Sequence, residues 1–325
     1  MLRSMYSGIS GLKNFQTKLD VIGNNISNVN TYGFKKGRVV FKDLMSQTTM
    51  GASGPTGATG GTNVKQVGLG GTLAAIDTLH GAGSRQVTGR VLDVALEGDG
   101  FFVVGERATA EQGDDAVITN FQNVNYTRAG NFYLDSEGYI VNSDGFYAIG
   151  LNAGGEIPEG GPEGDDIVGH QSLAPDEDGN PTVLEEGIFD LEEGLTTNVE
   201  GGRIYIPTDA QSMSIGVDGR VTYVDRDGVL QFAGQLVMAK FSNAEGLTKQ
   251  GGNYYLPSAN SGAPSFSAGG SNGIGKTVSG SLEMSNVDLS EEFTEMIVAQ
   301  RGFQANTRII TTSDEILQEL VNLKR

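Results

Sequence analysis

Apolar side chains recur with a regular spacing through the last part of the chain, residues 286–325. After Leu289 they follow at steps of four and three residues and then at multiples of seven, which is the spacing of a heptad seam. These seam positions are Phe293, Met296, Phe303, Ile310, Leu317 and Val321. A second apolar set widens the stripe, so we expect more than one neighbour for this helix. The second set is Ile297, Ile309, Ile316, Leu320 and Leu323.

Two features predict how this helix begins and where it is weakest. Asp288 and Glu291 are spaced as a capping box, which indicates a helix start near Leu289. Gly302 is the interior glycine of the stretch, and glycine weakens a helix at its own position. We therefore expect a helix of about 35 residues, or about 50 Å, with a local weak point at that glycine.

The first part of the chain, residues 1–30, carries a matching pattern of about 25 residues, or about 40 Å of helix. With Gln16 counted, its seam positions alternate at steps of three and four, with one longer step across Gly23. The apolar ones are Leu2, Met5, Ile9, Leu12, Leu19 and Ile26. An isolated amphipathic helix is marginal in water, so we expect each terminal helix to bury its stripe against the other. The rest of the stripe would then face other copies of the chain; the alternative is an intramolecular hairpin with no further role.

Short apolar runs between glycine-containing turns fill most of the chain between these helices, and they predict β-strands. One example is residues 212–224, where an Asp-Gly pair separates two alternating runs and indicates a hairpin. We therefore predict a mostly β fold with terminal α-helices. The N- and C-terminal helices would pair as a coiled coil, nested outside by a β-rich domain and by a small acidic insertion.

Composition sets the expected domain boundaries. Residues 46–63 and 257–281 are rich in small and polar residues, which is typical of linkers. Residues 154–202 hold fourteen Asp and Glu and no Lys or Arg, so we interpret them as an outward insertion. The predicted parts are 1–30 and 286–325 for the terminal helical core, 31–72 and 257–285 for connecting segments, 73–153 and 203–256 for the β-rich domain, and 154–202 for the acidic insertion.

Charge and residue types narrow the chemistry. The net charge of −18 disfavours nucleic acid as a partner. The chain has no Cys, and its two histidines, His80 and His170, lack a metal-ligand spacing, so we expect no metal site and no cofactor. No nucleophile elbow or convergent catalytic cluster is evident, and we expect no enzymatic activity. No apolar run has the length of a transmembrane helix, so we expect no membrane insertion.

Motifs at both ends resemble those of the bacterial flagellar rod and hook protein family. The first runs through Met5–Leu12 and Asn24–Lys35, and the second through Ser285–Leu289, Met296–Gln304 and Leu320–Leu323. In that family the paired terminal helices line the core of a tubular polymer. The resemblance therefore implies an exported structural subunit, without a cleaved signal peptide, located in the extracellular hook or basal body of the flagellum.

The resemblance also implies partners and a choice between two subunit types. The expected partners are further copies of the chain in a helical homopolymer, the distal rod protein, the hook cap protein, the hook-filament junction protein and the flagellar export gate. The chain length, the inserted block and the ending at Leu320–Arg325 favour a hook subunit over a distal rod subunit. On this interpretation the assembly interface of a flexible tube that transmits torque is formed by the N-terminal positions from Leu2 to Ile26 and the C-terminal seam positions from Phe293 to Val321 that are given above.

A shorter match concerns export. Phe41 and Met45 have the aromatic-then-apolar spacing by which rod and hook subunits contact the flagellar export gate. The same residues could instead anchor the connecting segment to the core. The sequence does not decide between these two roles.

Overall fold

The structure is a computed structural model that describes residues 2–55, 60–108, 118–119, 121–151, 171–172 and 199–323. It contains two α-helices, α1 (Leu2–Ser27) and α2 (Leu289–Leu323), and the short 3₁₀ helix Ala244–Gly246. The strands before the acidic block are β1 Gly37–Asp43, β2 Gln47–Met50, β3 Lys65–Val67, β4 Gly71–Thr78, β5 Arg85–Val87, β6 Val94–Glu97, β7 Phe101–Arg107, β8 Ile118–Thr119, β9 Phe121–Thr127, β10 Tyr133–Leu134, β11 Ile140–Val141 and β12 Tyr147–Leu151.

The strands that follow are β13 Gln171–Ser172, β14 Val199–Arg203, β15 Ser212–Ile215, β16 Arg220–Val224, β17 Leu230–Leu236, β18 Met238–Lys240, β19 Thr248–Gly251, β20 Tyr254–Leu256, β21 Ser265–Ser267, β22 Lys276–Ser279 and β23 Ser281–Glu283. The expectation of a mostly β chain with N- and C-terminal helices is confirmed. Within the described ranges, neither helix has an apolar stretch of the length that a bilayer crossing requires.

The second helix begins where the capping residues predict. Asp288 Oδ1 accepts hydrogen bonds from the backbone N–H groups of Ser290 (2.8 Å) and Glu291 (3.3 Å), which satisfies two donors of the first turn. The Glu291 side chain does not return to the cap, because its carboxylate accepts a hydrogen bond from Lys36 Nζ at 2.8 Å. The capping box is therefore only half formed, and its acidic residue joins a different element.

The chain divides into two compact units. The helical unit comprises Met1–Val29, Lys35–Leu79 and Val287–Arg325, and the β unit comprises Asn30–Phe34 and His80–Asn286. In the helical unit, α1 and α2 accompany two antiparallel strand pairs, β1 with β4 and β2 with β3. The β unit contains a fifteen-stranded sheet whose main path runs β15-β16-β17-β12-β7-β9-β20-β19, together with the pairs β22-β6 and β23-β5.

Alternating apolar residues of this sheet build the core of the β unit. One buried cluster includes Phe102, Val104, Phe132, Ile140, Val221 and Met238, and another includes Phe101, Tyr126, Ile149, Phe241 and Phe266. The predicted hairpin is present, since β15 and β16 pair antiparallel from Ser212↔Val224 to Ile215↔Val221. Its turn uses Gly219 at φ 83°, a conformation that glycine adopts without a steric penalty.

The segments predicted as linkers contain strands. Residues 31–72 hold β1 to β3 and the start of β4, and residues 257–285 hold β21 to β23. Small hydroxyl residues join β2 to β3: Gln66 Nε2 donates to Thr48 Oγ1 at 3.1 Å, and Thr49 Oγ1 donates to the Lys65 carbonyl at 2.9 Å. Threonine side chains therefore hydrogen-bond across these two strands, although a composition argument interprets such residues as linker.

The acidic block lies mostly outside the described residues. Two short parts of it are described, and both are strands: β13 pairs with β17, and β14 pairs with β12. The pairing Leu151↔Gly201 places the two ends of the block on neighbouring strands. The boundary predicted at residue 202 thus falls inside a strand, because β14 continues to Arg203.

Candidate assembly surface

The two helices of the helical unit lie side by side and run antiparallel. A methyl group placed on the α-carbon of Gly8 would be 3.3 Å from Ile310 Cγ1, and one on Gly11 would be 2.9 Å from Asn306 Nδ2. Further along α1, Lys18 Nζ lies 3.0 Å from Glu295 Oε2. Residue numbers thus rise along one helix as they fall along the other.

The contact line on each helix consists largely of small or polar residues. On α1 it runs through Gly8, Gly11, Phe15, Lys18, Ile22 and Asn25, at alternating steps of three and four. On α2 it includes Glu292, Ala299, Asn306 and Ser313, which are seven residues apart, and Gly302, which faces Phe15. Because Gly8 faces Ile310 and Gly11 faces Asn306, a residue without a side chain on α1 makes room for a larger one on α2, so the helix axes can approach more closely than across a leucine seam.

This contact line differs from the predicted seam by one residue on each helix. The predicted α1 positions Ile9, Leu12 and Leu19 each follow a contact residue directly, and the same holds for Phe293 and Phe303 on α2. Most predicted residues therefore flank the contact line, whereas the predicted Ile310 meets Gly8 within it. Whether the two helices also supercoil, as a coiled coil requires, stays a prediction.

Most predicted assembly residues keep part of their surface open. Half-buried are Met5, Leu12, Leu19, Ile26, Met296, Ile310 and Leu317, and exposed are Ile9, Phe293, Phe303 and Val321. Leu2 belongs to α1, but its side chain lies outside what the structure describes. The described members thus retain apolar surface that the helix pair itself does not bury.

A strip of exposed apolar side chains follows the outer flank of α2. Its members, the α2 strip, are Val298, Ile309, Ile316, Leu320 and Leu323. They are eleven, seven, four and three residues apart, so at about 100° per residue they fall within a sector of about 60°. Four of the five belong to the second predicted apolar set, and Val298 is the one that sequence reasoning missed. An exposed apolar strip of this kind is typical of a surface that another protein covers.

Polar and charged groups gather where α1, α2 and the start of β1 meet. Asn25 is buried, and its amide nitrogen donates to the Gly37 carbonyl at 2.9 Å and to Glu292 Oε2 at 3.1 Å. Asn25 Oδ1 accepts a hydrogen bond from the Gly37 backbone N–H at 2.9 Å. A cleft of about 300 Å³ opens beside this junction, with Lys18, Lys36 and Arg38 among its basic lining residues. Asn25 therefore ties three elements of the helical unit together.

The residues proposed for the export contact have different surroundings. Phe41 lies in β1, and its ring centroid is 6.3 Å from that of Phe15 on α1. Met45 follows the end of β1 and is 84% exposed. Phe41 thus contacts the helix, as an anchor would, whereas Met45 is open to a partner.

The metal-ligating side-chain types of the described residues do not gather into a site. Among them, no group of three or more His, Cys, Asp and Glu side chains is placed to hold a metal ion. His80 packs against aromatic rings, with centroids 5.4 Å from Phe101 and 5.3 Å from Tyr255. His170 lies outside the described residues. The apolar strip on the helix pair is therefore the feature that best defines a functional surface.

Three family models match the chain. One described as "Flagella basal body rod protein" matches residues 5–35, and "Flagellar basal body rod FlgEFG protein C-terminal" matches residues 278–323. The third, "Flagellar hook protein FlgE/F/G D1 domain", matches residues 95–223. The end motifs and the β unit thus each have a counterpart.

Curated relatives match over the whole length. The flagellar basal-body rod protein FlgG of Bacillus subtilis is 50% identical over 326 residues, which cover 100% of both chains. The flagellar hook protein FlgE of Borreliella burgdorferi is 33% identical over 455 residues, again covering 100% of both. The FlgG of the same organism is 33% identical over 326 residues and covers 100% of both.

Proposed function

Because the chain belongs to the family of flagellar hook and basal-body rod proteins, we propose that it is a subunit of the distal flagellar rod that polymerises with copies of itself. The observation that carries the polymer is the α2 strip, an apolar surface that the described part of the chain leaves open. A second copy whose helix pair covers this strip would remove it from water, which favours association in proportion to the apolar area buried. Repetition of that contact would build a tube with the helices inside.

Two numbers favour a rod over a hook. Identity is 50% with the FlgG of Bacillus subtilis and 33% with the FlgE of Borreliella burgdorferi. The alignment with that FlgG spans 326 residues, whereas the alignment with that FlgE needs 455. The hook relative therefore carries segments without a counterpart here. The sequence alone suggested a hook because of the chain length and the inserted block. The FlgG relative aligns with the whole chain over 326 residues, so a chain of this length is also compatible with a rod subunit.

The hook remains the second candidate, because the FlgE relative aligns with the whole chain at 33% identity. The two roles differ in mechanics. A rod requires a stiff drive shaft, whereas a hook requires outer contacts that slide while the inner helices transmit torque. In both cases the protein would be located in the flagellum, exported by the flagellar apparatus without a cleaved signal peptide.

Partners follow from these roles. A rod subunit at this position would contact hook subunits and the export gate, and a hook subunit would also contact the hook cap and the hook-filament junction protein. We assign the export contact to Met45, which is open to solvent, and the anchoring role to Phe41, whose ring approaches Phe15.

Electron microscopy of basal bodies from cells that lack this protein tests the assignment. For a distal rod subunit, we expect basal bodies that stop at the proximal rod and carry no hook. A complete rod without a hook would instead identify a hook subunit and contradict the proposal. Basal bodies with both structures intact would exclude both roles.

A further inference from the structure

A carboxyl group is buried in the contact between the two helices. Glu292 lies in the first turn of α2 and is 4% exposed. Its Oε2 accepts the Asn25 hydrogen bond at 3.1 Å, and its Oε1 lies 3.9 Å from Lys36 Nζ. Carboxylates are rarely buried to this extent without a close cation, because removing the charge from water is costly.

The nearest cation is engaged more closely by a different carboxylate. Lys36 Nζ is 2.8 Å from Glu291 Oε2 and 3.9 Å from Glu292 Oε1. The more exposed carboxylate, Glu291, therefore holds the stronger hydrogen bond, and the buried one has the longer contact. The hydrogen bond to Glu291 raises the pKa of Lys36, which keeps this single cation charged.

The surrounding charges leave one carboxylate in excess. Lys18 on α1 pairs with Glu295 at 3.0 Å. Lys36, which directly precedes β1, contacts both Glu291 and Glu292. On β1, Arg38 lines the same cleft but has its own partner, with Nη2 3.5 Å from Asp77 Oδ2. Two lysines thus face three glutamates, and Glu292 is the most buried of the three.

We propose that Glu292 is a proton-binding site that couples the pairing of α1 and α2 to pH. With Glu292 protonated, each lysine in the cluster has one carboxylate partner, and the buried side chain is a neutral group hydrogen-bonded to Asn25. With Glu292 ionised, the helix contact holds a buried carboxylate that must share Lys36 with Glu291. This site lies within one chain and does not depend on the proposed polymer.

The direction of the effect follows from burial. Burial raises the pKa of Glu292 above its ordinary value of 4.5, while the Asn25 hydrogen bond and the Lys36 charge act in the opposite direction. A folded-state pKa above the unfolded one means that the paired helices bind more protons between the two values. The contribution of Glu292 to the pairing is therefore fully present below pH 4.5 and is lost as pH rises through the higher, folded-state pKa.

The test compares Glu292→Gln with wild type and with Glu295→Gln. Glu295 is a matched control, because it lies one turn along α2 in the same cluster but its side chain is 46% exposed. Thermal melting of the full-length protein is followed by circular dichroism at about 222 nm, where the two helices dominate, across pH 4 to 8. We expect the wild-type and Glu295→Gln midpoints to fall by several degrees as pH rises. The Glu292→Gln midpoint should stay nearly constant and match wild type at the acidic end, because glutamine imitates the protonated acid.

Two results would overturn the inference. One is a Glu292→Gln midpoint that falls with pH as steeply as wild type, since general acidic repulsion would then suffice. The other comes from a carboxyl ¹³C NMR titration of the wild-type protein, in which the resonance absent from Glu292→Gln identifies the site. A titration midpoint at or below 4.5, the ordinary glutamate value, would show that the folded protein does not retain this proton.

Discussion

The tip of the Phe15 ring on α1 lies against Gly302 on α2 so closely that a methyl group on the glycine would be 2.5 Å from Phe15 Cζ. Glycine at this position costs helix stability, yet it makes room for an aromatic ring in the contact between the helices. The pair explains why glycine rather than a helix former occupies position 302.

Gly302→Ala should therefore destabilise the helix pair although alanine is the better helix former. The helix-propensity gain of about 1 kcal/mol opposes an overpacking cost of about 1–3 kcal/mol. We expect a net loss of about 1 kcal/mol in urea unfolding followed by helix circular dichroism. Gly23→Ala is the matched control, since no atom lies within 4 Å of its added methyl, and it should stabilise by about 0.5–1 kcal/mol. A Gly302→Ala variant as stable as Gly23→Ala would show that the ring yields freely.

The same residues show what the sequence could and could not predict. Apolar spacing predicted both helices and the start at Leu289, because stripe and cap are local signals. It placed most of the seam one residue away from the contact line, although the predicted Ile310 does meet Gly8. Hydropathy follows the large side chains, whereas the helices meet at Gly8, Gly11 and Gly302, where little side chain is present. Close approach of two backbones is a property of the pair and leaves no apolar signature in either helix.

The buried polar junction was missed for a related reason. Asparagine competes with helical hydrogen bonding, so Asn25 near the end of α1 gives no local signal of a buried contact. In the structure its amide satisfies the Gly37 backbone and one oxygen of Glu292. Both partners are remote in sequence, and only the fold brings them together.

The α2 strip predicts a separation between folding and assembly. Ile316→Asp places a charge where a neighbouring copy would bury an apolar side chain. Burying that charge without a partner costs several kcal/mol, so the protein concentration needed for assembly should rise more than about 100-fold. The helix pair should remain folded, because Ile316 is 48% exposed. Light scattering should report the lost assembly and circular dichroism the retained helix. Gln304→Asp, an exposed polar position on another flank of α2, should assemble normally. Equal assembly by both variants would show that the strip stays open in the polymer.

Lys36 should matter because it is shared by two carboxylates. Lys36→Met leaves Glu292 without that cation, and we expect a loss of about 1–3 kcal/mol in the unfolding free energy at pH 7. The second change Glu292→Gln should restore most of this lost stability.

The raised pKa of Lys36 also means that the stability contributed by Lys36 is present below pH 10.5 and is lost as pH rises through the folded-state pKa. Wild type should therefore weaken in strong alkali more than Lys36→Met does; parallel alkaline unfolding curves would show that Lys36 contributes no pH-dependent stability.

Met45 should affect export without affecting assembly. Met45→Ala removes an exposed side chain, so the stability of the helical unit should change by less than about 0.5 kcal/mol. If Met45 contacts the export gate, the variant should accumulate in the cytoplasm of flagellated cells, while the purified protein polymerises like wild type. Met50→Ala, at another exposed methionine on β2, is the control. Normal export of Met45→Ala would remove the proposed contact.

The acidic block should be dispensable for folding while it opposes assembly. Leu151 and Gly201 are direct partners on β12 and β14, so an Asn-Gly turn that replaces residues 153–199 can close a hairpin without moving either strand. The variant removes β13, and with it the pairing of Gln171 and Ser172 to β17, but keeps most of β14.

In a polymer the acidic blocks of neighbouring subunits would repel one another, and salt should relieve this repulsion because exposed charges are screened beyond about 8–10 Å. We therefore expect wild type to assemble better as salt rises, and the variant to assemble at low salt with little further response. Light scattering against salt concentration measures both, followed by electron microscopy of the products. A variant that cannot fold would place the block within the core of the β unit, and a variant with unchanged salt dependence would locate the repulsion elsewhere on the chain.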